Sequence, residues 1–175
     1  MSPDGVADRV TQLRTGFDRS FAEPPLGYDV DFCELLAIRA GRRPYVLRLS
    51  QTSGLHSGRP VTPLPSPVPA LLGVAGFSGA VVPVYDLGAV LGHPVDGMPR
   101  WMVVAAGTPT LALAFHHLDG HLRVATGSIV GATDAHGPDD CLRGMVPLPE
   151  GTRPVIDLPS VRVAVGSFAA RSTRE

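Results

Sequence analysis

The one histidine cluster of the chain lies in the stretch HHLDGH, where His116, His117 and His121 stand around Asp119. On an extended strand His117, Asp119 and His121 project to one face, and two imidazoles with a carboxylate are donors a zinc ion accepts. No fourth ligand is evident nearby, and Asp119-Gly120 could turn the chain and break the alternation. A solvated strand end is therefore expected, with no metal, and a pH-sensitive contact surface is the intermediate reading. Cys33 and Cys141 stand far apart and outside any CxxC pattern, which speaks for buried free thiols over a disulfide or zinc site. Ser78, in GFSGA, lacks the spacing of a nucleophile elbow. Asp86 closes the apolar run VVPVYDL and has three readings: a magnesium-binding carboxylate beside a nucleotide, a phospho-accepting aspartate, or a turn residue.

One absence narrows these readings. The chain has 15 basic residues, and all are arginine. Without lysine there is no P-loop lysine, no Schiff base, no kinase ATP clamp and no lysine beside a phospho-accepting aspartate. The glycine-rich GVAGFSGA also lacks the helix start and lysine of a phosphate loop. No catalytic residue and no cofactor is expected.

Composition agrees with a globular protein of many turns. Of 175 residues 44% are hydrophobic and 18% charged, while 20 glycines and 18 prolines favour short strands over long helices. A net charge of -1, with acids and bases interleaved, gives no footprint for nucleic acid or an anionic membrane. No apolar stretch reaches the roughly 18 residues that span a bilayer, and the first 25 residues lack the apolar centre of a signal peptide, so a cytoplasmic protein without membrane insertion is expected.

The elements that must position these side chains follow from periodicity. Residues 2–22 read as a helix in which Val6, Val10, Leu13, Phe17 and Phe21 share one face, an arm that needs a surface to dock on. A linker, AEPPLG, ends it. FCELLAIRA and RPYVLRLS flank Gly41-Arg42 as a hairpin. The prolines at 60, 63, 65, 67 and 69 suit an extended edge segment better than an SH3 ligand. WMVVAA, TLALAF and HLRVATGSIVGA read as further strands, and LGAVLG as a short helical stretch after Asp86.

Sliding the chain by 71 positions lays residues 142–158 on 71–87, with six identities in 17 positions: Leu142, Gly144, Pro154, Val155, Asp157 and Leu158 on Leu71, Gly73, Pro83, Val84, Asp86 and Leu87. A fixed offset rich in Gly, Pro and Asp indicates a duplication. A catalytic carboxylate is rarely needed twice, so Asp86 and Asp157 read as paired strand-end caps, and Pro83 and Pro154 as residues at a barrel edge or bulge. The expected fold is all-β: two small five-stranded barrels side by side, with an N-terminal amphipathic helix. Residues 1–27 are the arm and linker, 28–168 the domain, with half-repeats at about 28–97 and 98–168, and 169–175 a disordered tail.

The order VTPLP, LLGV, GxVVPVxDL, LALAF, LRV, LRGM, RPVIDL resembles the CheW-like domain of bacterial chemosensory arrays, over about residues 30–165. The resemblance implies paired SH3-like barrels and a non-enzymatic adaptor. Its partners would be the regulatory domain of a CheA-type histidine kinase, the cytoplasmic tip of a methyl-accepting chemoreceptor, and other CheW-like domains, at receptor arrays on the inner membrane. It also places partner contacts at Thr52, Leu55, Gly73, Phe77, Ser78, Gly79, Ala112 and His116. Where the family usually carries N-L-R-G, this chain has Gly76-Phe77-Ser78-Gly79. Its assembly arginine is thus Ser78, and its aspartate after the apolar strand is His116.

Overall fold

The computed structural model describes residues 31–94, 97–131 and 141–172, with side chains to 168. The expected arm, including Val6, Val10, Leu13, Phe17 and Phe21, lies outside the described residues, as do the last three residues of the expected tail.

The first hairpin joins β1 (Phe32–Ala40) to β2 (Arg43–Arg48) through Gly41 and Arg42, whose φ values of 53° and 66° make the tight turn that matches strand twist. A 3-10 turn at Leu49–Gln51 leads to β3 (Thr52–Ser57), β4 (Leu71–Phe77) and β5 (Ala80–Asp86), then to α1 (Leu87–Val90), β6 (Trp101–Ala105) and β7 (Ala112–Phe115). The rest is β8 (His117–Ala125), β9 (Leu142–Leu148), β10 (Gly151–Ile156) and α2 (Leu158–Ser172). The expected tail from residue 169 is corrected in part, because α2 continues to Ser172.

The strands form two five-stranded sheets, β8-β1-β2-β10-β9 (barrel 1) and β3-β6-β7-β5-β4 (barrel 2). The two orders are the same under the matching of β8, β9, β10, β1 and β2 to β3, β4, β5, β6 and β7. The duplication is therefore real but circularly shifted. Barrel 2 is one continuous stretch, while barrel 1 combines the first two strands with the last three. This corrects the half-repeat boundary at 97/98, which cuts between α1 and β6 of a single barrel. The reason is the parallel pairing in each sheet: Val155 and Ile156 of β10 register with Val46 and Leu47 of β2, as Val84 and Tyr85 of β5 register with Ala112 and Leu113 of β7. A parallel neighbour cannot follow through a tight turn, so the partner comes from elsewhere in the chain.

Each barrel closes by the same device. Beyond β3, Thr62 exchanges backbone hydrogen bonds with Val74 of β4, and beyond β8, Val130 does so with Met145 of β9. The proline-rich segment is thus an extended edge piece, as its composition predicts. Val74 faces Pro83 across the hairpin and Met145 faces Pro154, but both spend their backbone groups on the closing bridge. Neither proline is asked for a ladder N–H on that side, and on the other side the parallel ladder begins one residue later. Both prolines lie near register shifts. The bulge expectation stands and the edge expectation is corrected, because β5 and β10 are interior strands.

Both strand-end aspartates are caps. Asp86, 1% exposed, accepts the Ala89 N–H at 2.9 Å and starts α1. Asp157 accepts the Ser160 N–H at 3.1 Å and its hydroxyl at 2.7 Å, and its other oxygen takes the Gln51 amide at 2.7 Å. Gln51 in turn accepts the Leu158 N–H at 3.0 Å, so the crossover between the barrels is tied to the start of α2. Burial raises the Asp157 pKa, but the bonds from Ser160 and Gln51 outweigh it and hold the carboxyl below its ordinary 3.8. A depressed carboxylate stabilises the fold above its unfolded pKa, and that contribution disappears as pH falls through the folded value. Asp157→Ala is expected to cost about 1–2 kcal/mol at neutral pH, the scale of a lost cap. Urea titrations should show the gap from wild type closing below about pH 4; a gap that persists in acid would assign the loss to packing instead.

The barrel interiors are filled by Leu35, Ala37, Val46, Val146 and Val155 in barrel 1, and by Phe77, Val82, Val84, Met102 and Ala114 among others in barrel 2. The largest core lies between the barrels, where Ile38, Tyr45, Leu47 and Ile156 meet Val103, Leu113 and Phe115, covered by Leu87 of α1 and by Leu158, Val161 and Val165 of α2. This explains why β2 is buried on both faces, with Val46 inward and Tyr45 and Leu47 toward the seam. The Tyr45 hydroxyl pairs with His93 Nε2 at 2.6 Å across that seam. Burial and the nearby Arg43 charge lower the His93 pKa, with Asp86 opposing, which suits a neutral ring.

Candidate interaction surface

His117, Asp119 and His121 are all exposed, but β8 bulges at Asp119: His117 pairs with Arg39 and His121 with Leu36, positions on opposite faces of β1, so the expectation that the three share one face is corrected. Asp119 and His121 pair with charged groups of the protein itself. Asp119 takes Arg153 at 2.7 Å and Arg39 at 3.2 Å, and His121 pairs with Glu34 at 2.5 Å. Burial raises the Asp119 pKa, but the hydrogen bonds from Arg153 and Arg39 more than offset this and hold it low. Among the described residues no three His, Cys, Asp or Glu side chains come together in a way that could hold a metal ion. Arg153, 5% exposed, also binds Glu150 at 3.0 Å, and these residues form an ionic network joining β1, β8 and β10 of barrel 1. In the repeat its counterpart 71 positions earlier is Val82, an apolar interior residue of barrel 2. The two related barrels are therefore finished with opposite chemistry.

Asp119 and His121 are thus engaged with charged groups of barrel 1, while the hairpin of β4 and β5 carries an accessible tip. Its turn is Ser78-Gly79, with φ values of 47° and 82°. Ser78 holds a left-handed conformation that few residues other than glycine adopt readily. Gly76 and Val81 pair across the hairpin on its outer face, since Ala75, Phe77 and Val82 beside them are buried. Val81 is 77% exposed, the most exposed large apolar side chain among the described residues.

The CheW-like domain family model matches residues 34–163. The chain belongs to the CheW-like domain family. A probable chemotaxis protein CheW from Rhizobium etli is 32% identical over 74 residues, which are 42% of this chain and 48% of that protein, so the match spans about half of the curated relative's length. The crystal structure of the scaffolding protein TtCheW from Thermoanaerobacter tengcongensis superposes with a TM-score of 0.63 at 14% identity, over 71% of this chain and 88% of that one. At that identity the likeness speaks for the fold, and the fold is the paired five-stranded barrel expected from the sequence.

Within this CheW-like domain the expected contact residues do not form one surface. Ser78 and Gly79 are exposed at the β4–β5 tip. Thr52 and Leu55 lie on β3, where Thr52 Oγ1 donates to Leu49 O at 2.8 Å and Leu55 packs on the core between the barrels. His116 is half-buried after β7, beyond the Trp101 end of β6, whereas Thr52 pairs at the Ala105 end. Three expectations are corrected by burial. Ala112 is 0% exposed inside barrel 2 and offers no side chain to a partner. Phe77 is likewise interior, below the hairpin tip. Gly73 is buried with φ 142°, and a Cβ there would lie 2.1 Å from Thr62 O, so the backbone that approaches it is the chain's own closing segment. Gly144, its repeat, faces Gly131 O and Val130 O in the same way. Arg59, which the sequence reading passed over in the proline-rich segment, sits at the tip: Nη1 donates to Gly76 O at 3.3 Å and the guanidinium stacks 5.7 Å from the Phe77 ring centre.

Proposed function

We propose that this chain is a non-enzymatic scaffold of a chemosensory pathway, which holds the regulatory domain of a CheA-type histidine kinase and the cytoplasmic tip of a chemoreceptor in fixed geometry. The observation that carries the reading is the family match over residues 34–163 on a fold of two packed barrels. Barrels whose interiors are filled by side chains do their work with outer faces, which favours protein binding over the binding of a small molecule inside a barrel. No described helix is long and apolar enough to cross a membrane, and an array-associated cytoplasmic location fits the proposed partners. Gly76 and Ser78, in place of the Asn and Arg that the family resemblance leads one to expect, favour a pathway whose output is something other than flagellar steering, such as surface motility or gene regulation.

Fragments of the kinase regulatory domain and receptor tip encoded by the same organism provide the test. Calorimetry should show at least one of them bound by the full chain with micromolar affinity, about -8 kcal/mol. Retention of neither fragment would overturn the scaffold reading.

A further inference from the structure

The seam between the barrels is tied at both ends of β2. Beyond its last residue, the Gln51 side chain bridges Asp157 and the Leu158 N–H, a tie made of an amide and of a carboxylate held below its ordinary 3.8. Before its first residue the tie is His93, which follows α1. Its Nε2 meets the buried Tyr45 hydroxyl of β2 at 2.6 Å, and its N–H donates to Gly88 O at 2.8 Å. A Cβ on Gly41 would fall on the His93 side chain, and one on Gly88 would lie 2.9 Å from Gly41 N. With no side chain at either glycine, α1 and the β1–β2 turn approach closely enough for the ring to reach Tyr45.

The groups facing the ring decide its charge. From β2 come the Tyr45 hydroxyl and the Arg43 guanidinium, and from the end of β5 the Asp86 carboxylate; Arg42 precedes Arg43 in the turn, and α1 carries no charged residue. Burial and Arg43 oppose a proton on His93 while Asp86 favours one, and the opposition prevails, so the closed seam holds the ring below its ordinary 6.5. In the neutral ring with its proton on Nδ1, Nε2 accepts the Tyr45 hydroxyl. A second proton turns that acceptor into a donor and sets a charge near Arg43. The proton is bound more strongly where water reaches the ring, so acid favours the released side chain. The tie is therefore at full strength above 6.5 and is lost as pH falls through the lowered value of the closed seam. Asp157 keeps its charge until pH drops below the ordinary carboxylate value, and the Gln51 tie outlasts the His93 tie.

We propose that His93 is a proton-operated latch between the barrels, released by mild acid while the Gln51 end of the seam stays fastened. The barrels then part at one end of β2 only, and the crossover at Gln51 serves as the hinge. This goes beyond the scaffold reading, because it needs no partner and makes the geometry of the paired barrels themselves depend on pH.

Hydrogen exchange of the full chain, followed by NMR and corrected for the intrinsic pH dependence of exchange, tests the latch between about pH 7.5 and about pH 5, a range that crosses an ordinary imidazole. The His93 amide is expected to lose protection several-fold across it, while the Leu158 amide, which donates to Gln51, keeps its own. His93→Gln, whose side-chain carbonyl can accept the Tyr45 hydroxyl and does not titrate, should abolish the fall at position 93. Arg43→Gln, at an exposed position, should move the midpoint of the fall to higher pH by removing the cation beside the ring. Constant protection of the His93 amide in wild type, an equal fall in His93→Gln, an unmoved midpoint in Arg43→Gln or a matching fall at Leu158 would each overturn the latch.

Discussion

Gly73→Ala is expected to be the most damaging single methyl group that can be added to barrel 2. The new Cβ would lie 2.1 Å from Thr62 O and 2.8 Å from Pro63 Cα, both backbone atoms, at a φ of 142° that side chains rarely adopt. Strain of about 1–3 kcal/mol from the backbone conformation adds to a similar cost for overpacking, so a loss of about 2–6 kcal/mol follows. The Thr62–Val74 bridge cannot open cheaply, since it closes the barrel and leaves both partners without hydrogen bonds if it does. The repeat provides an internal control. At Gly144 the nearest atom to an added Cβ is Gly131 O at 3.0 Å, and φ is 99°, so Gly144→Ala should cost less. Chemical denaturation of the two variants measures the difference directly; equal losses would mean that the closing segment slides away from β4 without penalty.

The second large effect is expected at Asp119. Its replacement by alanine leaves the Arg153 guanidinium, 6% exposed, paired with Glu150, whose side chain is 62% exposed. Removing one member of a buried pair costs about 3–5 kcal/mol, mainly because the remaining charge stays desolvated. Asp119→Ala should therefore lower stability far more than its half-exposed contact with Arg39 would suggest. Adding Arg153→Met removes the stranded charge and should recover much of the loss, as replacing a whole buried network with apolar groups often does. A double variant no more stable than Asp119→Ala alone would show that Asp119 acts through β8 itself and not through the arginine.

Much of the architecture is legible in the residues. Gly41-Arg42 marks a two-residue hairpin, and the 71-residue offset finds glycines, prolines and aspartates that perform the same tasks in both barrels. The C-terminal helix is harder to read. Val161, Val163 and Val165 alternate in the manner of a strand, although Asp157 followed by Pro159 and Ser160 is a helix-start signal. Tertiary packing decides, because Val161 and Val165 both reach the core between the barrels while Val163 stays 73% exposed. Which strands complete which barrel is not written in the repeat, since a fixed offset gives equivalence and says nothing of pairing. The candidate site is less legible still. Ala112 and Phe77 carry the apolar character of a contact surface but fill a barrel, and Arg59 sits in a segment whose prolines draw attention away from it.

The circular shift of the duplication also orders events in time. A ribosome releases β1 and β2 first, yet their parallel neighbour β10 emerges only with residues 151–156. Barrel 2 needs nothing after Phe115, and vectorial synthesis allows it to close while the first hairpin still waits with both faces bare. The continuous barrel thus becomes a template on which the split one is assembled, and the strands made earliest are the last to be buried.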